Sequence, residues 1–176
     1  MKLTHGDINN MTSTPQILLR NRYQVVARTI IFILLDGKVL LQKGSSTKKI
    51  NAGLWNGLGG HIERKEDVLS AARRELFEEA GISCNNLQLN GTVMIDVNKN
   101  EGILLFVFSG NDIRGEITHS EEGSLEWFDL GMLPPNEIVD DVPELILTIL
   151  DATSRKSLFS LLYTYDKNGT RITTSP

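Results

Sequence analysis

The chain has 176 residues, 40% hydrophobic and 23% charged, a balance that suits one globular domain with a core of its own. Its net charge of −4 argues against broad nucleic-acid binding, which needs a basic face. One cysteine, Cys84, excludes an internal disulfide, and the longest apolar run, Ile30 to Leu35, is far too short to cross a bilayer.

Residues 1–21 are polar and are expected as a leader outside the domain, which is assigned to residues 22–176. A cytoplasmic protein with no membrane partner follows as the expectation, with Cys84 a small packed hydrophobe. Tyr23 to Leu35 is rich in Val, Ile, Thr and Phe and predicts a strand. Asp36-Gly37 is a tight-turn signal, and Lys38 to Gln42 follows as the hairpin partner. Gly44 to Gly53 is polar and basic and predicts a loop. Leu54 to Gly60 sets three glycines around Trp55 and Asn56, which suits either close backbone approach to a ligand or a bulged strand end.

Val68, Leu69, Ala72, Leu76 and Ala80 recur at helical spacing, and Gly81 ends that helix. Leu87 to Val97 and Gly102 to Ser109 predict strands around the turn Asn98 to Glu101. Leu125 to Leu130 is another short strand, and Pro134-Pro135 stops regular structure. Val142 to Leu150 predicts a second helix, starting after Asp140-Asp141 with Pro143 in its first turn. Leu158 to Tyr165, the turn Asp166 to Gly169 and Thr170 to Thr173 predict a final hairpin. Many strands with two good helices indicate an α/β (α+β) fold, a mixed sheet with helices on its faces.

The segment with most chemistry runs from Gly60 to Ile82. Glu75, Glu78 and Glu79 stand at i, i+3 and i+4, on one helix face. Like charges at that spacing repel by about 0.2–0.5 kcal/mol per pair. A solvated acidic face, balanced by Arg73 and Arg74, explains them without any ligand. Taken alone, that is the commoner origin of such a cluster; oxygen ligands converging on Mg²⁺ or Mn²⁺ are the other reading.

The wider pattern separates the two. Gly60, Glu66, Arg74, Glu75, Glu78, Glu79 and Gly81 fit G-x5-E-x7-R-E-U-x-E-E-x-G-U, with Leu76 and Ile82 at the apolar places U. This is the Nudix box, and the chain resembles the Nudix hydrolase superfamily from about Arg22 to Leu150. The resemblance implies an α/β/α sandwich with a mixed central sheet. It also implies metal-dependent hydrolysis of a nucleoside diphosphate linked to a further group. It makes Glu75, Glu78 and Glu79 metal-facing carboxylates, with Glu75 a ligand or a base toward water and Arg74 its orienting partner. Glu66 is expected to support the loop, Glu63 to be an outer ligand, and Gly60 to offer its carbonyl. Magnesium, or manganese, is the implied cofactor, and a small-molecule nucleotide the partner, with the protein a monomer or homodimer.

Other stretches resemble the oxidised purine nucleoside triphosphate diphosphatases within that superfamily. Trp55-Asn56-Gly57 leads into the box, and Trp127-Phe128 precedes Asp140-Asp141, in the same order as that group. The resemblance gives Asn56, Asp140 and Asp141 a base-reading role, and Glu122 a place near the metal. Lys43 and Lys48 are candidates for the triphosphate, with Lys49 beside them. Each residue also has a plainer explanation: Asn56 in a turn, Asp140 or Asp141 as a helix cap, the tryptophans in the core, the lysines solvated. One departure is Ile138, where that group has a large aromatic. A nucleotide sugar or dinucleoside polyphosphate is the alternative substrate, and a non-catalytic nucleotide-binding module the alternative class. The intact acidic set argues against that class.

Overall fold

Ile30 to Leu35 is apolar without a break, and such a strand must be covered on both faces. The computed structural model, which describes residues 21–45, 51–118 and 123–175, shows that covering. On β1 (Gln24–Leu35), Ile30 and Phe32 face one apolar cluster and Ile31 and Ile33 the other. The first cluster is closed by α2 (Val142–Arg155) through Val142, Leu145 and Ile149. The second is closed by α1 (Val68–Ala80) through Ala72, Leu76 and Ala80. The result is the expected sandwich, one mixed sheet between two helices.

The remaining strands are β2 (Lys38–Gly44), β3 (Trp55–Asn56), β4 (Ser83–Cys84), β5 (Gln88–Asp96), β6 (Glu101–Gly110), β7 (Ile113–Arg114), β8 (Gly123–Asp129), β9 (Phe159–Tyr165) and β10 (Arg171–Thr174). The main sheet runs β10-β9-β5-β6-β1-β2-β3, with β8 on β2. Pairs β1/β6 and β5/β9 are parallel; the other ladders are antiparallel. The turn at Asp36-Gly37 has positive φ at both residues, 50° and 76°, as a two-residue hairpin of this hand requires. A small second sheet, β4 with β7, has no counterpart in the sequence reading, because two-residue strands carry no periodicity.

Both helices have legible ends. Asp67 caps α1, its carboxylate accepting from Leu69 N and Ser70 N at 3.0 Å each. Gly81 closes it at φ 70°. Helix α2 runs beyond Leu150 to Arg155, further than its apolar pattern predicts. Ala152 continues the buried stripe, and an Asp151–Arg155 ion pair holds the last turn. Cys84 is packed in the α1-side core, 4% exposed, as expected of a small hydrophobe.

The feature that positions the site is a split in the sheet. Strand β1 pairs with β2 only from Ile33 to Leu35. Into the opening runs the Gly-rich segment, paired with β2 at Asn56, then with β1 at Leu58 and His61. Gly59 sits at φ 129°, and a Cβ there would lie 2.4 Å from the Thr29 carbonyl oxygen. Only glycine fits so close to the neighbouring strand. Among the described residues no helix is long and apolar enough to cross a membrane.

Candidate functional site

The Gly-rich segment forms one wall of a groove of about 840 Å³. On the α1 side it is lined by Gly60, Glu63, Glu75 and Glu79. On the α2 side it is lined by Asp140, Asp141, Tyr163 and Arg171, and Asn56 also faces it. One cavity therefore joins the acidic helix to the Asn and Asp residues that the sequence reading set apart. Ile95 and Leu105 supply apolar floor from the sheet.

Arg74 organises the acidic helix. Its Nε and Nη2 each donate to one Glu66 carboxylate oxygen at 2.9 Å. Its Nη1 donates to Glu75 Oε1 at 2.8 Å and to Glu78 Oε2 at 3.0 Å, and Nη2 also donates to the His61 carbonyl at 3.0 Å. A planar fork holds these groups together as a point charge cannot. Its hydrogen bonds to Glu66 first, then to Glu75, push the guanidinium pKa further up. The same bonds from Arg74 hold Glu66 below the usual carboxylate range. Glu66 also accepts from Glu63 N at 3.1 Å, tying the loop to the helix.

The three glutamates share a helix face but have separate surroundings. Glu79 is 4% exposed, and its Oε2 accepts from Gly59 N at 2.6 Å. Glu75 lies against the loop: a Cβ on Gly60 would meet its carboxylate oxygens at 2.5 and 2.8 Å. Glu78 is exposed, with Arg74 as its partner, and does not line the groove. The expected convergence of all three is therefore not seen. Among the described residues no three such groups are gathered tightly enough to grip an ion, because Arg74 draws Glu78 outward while Glu79 turns inward to Gly59. Gly60's carbonyl accepts from Thr29 N at 2.8 Å and has a second lone pair.

At the other helix the two aspartates differ. Asp141 is the residue before α2, but its side chain makes no capping bond. Burial raises its pKa to about 6; Arg171 opposes that shift, and Asp140 and Glu144 add to it. Asp140 is mostly exposed and accepts from Arg171 Nε at 3.2 Å. Tyr163 is 1% exposed, burial raises its pKa, and its hydroxyl has no hydrogen-bond partner among the described residues. Asn56 Oδ1 accepts from Gly57 N at 2.8 Å, which leaves its NH₂ group for the groove.

Some candidates fall elsewhere. Lys43 does not line the groove; its Nζ donates to Glu137 at 3.0 Å and lies 5.2 Å from the Trp55 ring centre. Trp55 is core, edge-on to Phe128, and Ile138 packs on the same cluster. Arg73 is exposed on the helix. Lys48, Lys49 and Glu122 lie outside the described residues. Tyr163 and Arg171 were missed by the sequence reading. Tyr163 was detectable as a buried alternate of Leu161 on β9. Nothing in the sequence tied Arg171 to Asp140.

The NUDIX domain family matches residues 24–148. The chain belongs to the NUDIX hydrolase family. It is 32% identical over 116 residues to an oxidized purine nucleoside triphosphate hydrolase from Danio rerio, spanning 65% of this chain and 73% of that one. It is 35% identical over 107 residues to the protein of that name from Mus musculus, spanning 60% of this chain and 67% of that one. Among solved structures, a MutT protein from Bacillus halodurans superposes with a TM-score of 0.69 at 22% identity, over 86% of this chain and 97% of that one. A MutT NUDIX hydrolase from Burkholderia pseudomallei gives 0.61 at 27% identity, over 72% and 97%. Beyond the matched residues, β9 and β10 add Tyr163, Tyr165 and Arg171 to the lining of the groove.

Proposed function

We propose that this NUDIX hydrolase converts a purine nucleoside triphosphate, oxidised purines included, to the monophosphate and pyrophosphate. The observation that carries the reading is the single groove that joins Glu75 and Glu79 to Asn56, Asp140 and Asp141. The zebrafish and mouse relatives, named for oxidised purine triphosphates, support the same substrate class.

The α1 end suits a hard divalent cation, Mg²⁺ or Mn²⁺. The donors there are all oxygens, and the missing Cβ of Gly60 leaves the Glu75 carboxylate room against the loop. Glu75, Glu79 and the Gly60 carbonyl would hold the ion, with Glu78 joining once it leaves Arg74. A bound cation of this kind neutralises diphosphate charge and lowers the pKa of water. Arg74 fixes Glu75 through Oε1, so that Oε2 is left to take a proton from the attacking water. The Gly59 N–H holds Glu79 in a fixed direction. No covalent intermediate is needed.

At the α2 end Asn56 offers a donor. Asp141, with its pKa near 6, donates when protonated and accepts when ionised. A purine edge presents both an acceptor and a donor, so the pair suits it. The test is kcat/KM over purine triphosphates, an oxidised purine triphosphate, pyrimidine triphosphates and ADP-ribose. Purine triphosphates should lead, and Asn56→Ala should raise their KM while leaving kcat nearly unchanged. Better turnover of pyrimidine triphosphates or ADP-ribose would reject the reading.

A further inference from the structure

Arg171 reaches the start of α2 from the last strand of the chain. Its side chain is 13% exposed. Besides the 3.2 Å bond from Nε to the Asp140 carboxylate, Nη2 donates to the Asp140 carbonyl at 3.4 Å. Its Nη1 donates to Glu144 Oε2 and to Thr173 Oγ1, both at 2.8 Å. Its guanidinium carbon lies 4.6 Å from the Tyr163 ring centre. A guanidinium bonded on every edge and stacked on a ring has little freedom.

Two adjacent carboxylates at one pocket compete for the same base atoms and for the same proton. We propose that Arg171 is a positioning residue for base recognition: it takes up Asp140 and leaves Asp141 to read the nucleobase. The inference rests on the purine reading above. Its geometric basis is the asymmetry already described. Both aspartates line the groove, but Asp140 is mostly exposed and bound by Arg171 through both side chain and backbone, whereas Asp141 is the more buried one and makes no cap bond. The charged and titratable groups facing Asp141 are Arg171 on β10, Asp140 and Glu144 at the start of α2, and Tyr163 and Tyr165 on β9. Arg171 supplies the positive charge in that set, and so favours an ionised Asp141.

The test uses the full chain and the variants Arg171→Met and Arg171→Lys. Kinetics are measured on dGTP, dATP and dCTP across pH, and the Asp141 carboxyl is titrated by NMR without nucleotide. Arg171→Met should raise KM for both purine triphosphates about tenfold, with kcat within about twofold, and reduce the preference over dCTP. Its Asp141 midpoint should rise, because a cation beside a carboxylate favours the charged form. Arg171→Lys should fall between, since it keeps the charge and loses the fork. If Arg171→Met fails to fold, Arg171→Lys carries the same two readouts with smaller changes. Unchanged purine KM with an unchanged Asp141 midpoint would overturn the proposal. So would an equal loss of kcat on every nucleotide, which is the sign of a merely structural role. If the wild type prefers no purine triphosphate, the substrate reading fails by itself. The Asp141 midpoint then still decides for Arg171 if it moves and against it if it does not.

Discussion

Replacing Asp141 by Asn should stabilise the protein, and only above a defined pH. The carboxyl titrates at 3.8 in an ordinary setting and at about 6 in the fold, because burial disfavours its charge. Between those values the folded state keeps a proton that the unfolded chain has lost. Stability from this group is therefore complete below about pH 4 and falls as pH rises to 6 and beyond. Each pH unit of displacement is worth about 1.4 kcal/mol, so the ionised carboxylate costs up to about 3 kcal/mol at neutral pH. Asn has nearly the same size and never carries the charge. Arg171's attraction, which opposes the burial effect, is already contained in that displacement. Urea unfolding of wild type and variant, followed by tryptophan fluorescence at pH 4.5 to 8, measures the difference. It should be small at the acid end and approach about 3 kcal/mol at the other, or up to about 10 °C in Tm. A difference independent of pH, or a variant less stable than wild type at pH 8, would refute the argument. The gain should come with a loss of purine affinity, because the group is held in an unfavourable state for its use.

Gly60→Ala should cut turnover at least about tenfold with the fold retained, since its Cβ would stand 2.5 Å from Glu75 Oε1 and must displace the carboxylate. Circular dichroism and steady-state kinetics check it, and wild-type turnover would contradict it. Arg74→Lys should lower both stability, by about 1–2 kcal/mol, and kcat, because an ammonium cannot hold Glu66, Glu75, Glu78 and the His61 carbonyl together. Thermal unfolding and initial rates read both; an unaltered kcat would count against Arg74 as the orienting group. Tyr163→Phe should leave the free protein as stable as wild type or more so by about 1 kcal/mol, because the buried hydroxyl it removes has no partner to lose among the described residues. A clear loss of stability would show that the hydroxyl is bonded.

Much of this site was legible because it is local in sequence. The acidic helix, its Gly81 stop and the glycines before it lie in one stretch, and spacing alone put Glu75, Glu78 and Glu79 on one face. Spacing did not separate them. Glu79 sits on the same side as Leu76 and the buried alanines and goes inward, whereas Glu78 falls one turn from Arg74 and is drawn outward. The hairpin at Asp36-Gly37 was legible because two φ > 0 positions need such residues. Lys43 was not: its partner Glu137 arrives from a distant loop, through the pairing of residues 137–139 with Trp55. Arg171 was hidden for the same reason. Strand register, 31 residues downstream of Asp140, brings it to the groove, and no local pattern records register.

The most direct measurement is phosphorus NMR of a purine triphosphate turned over by the protein in Mg²⁺, in Mg²⁺ with excess chelator, and with Glu79→Gln. The account predicts monophosphate and pyrophosphate as the products, no turnover with chelator, and a fall of orders of magnitude for the nearly isosteric variant, whose carboxylate is the buried one beside Gly59. Orthophosphate as the sole released phosphate, or full activity in chelator, would contradict it.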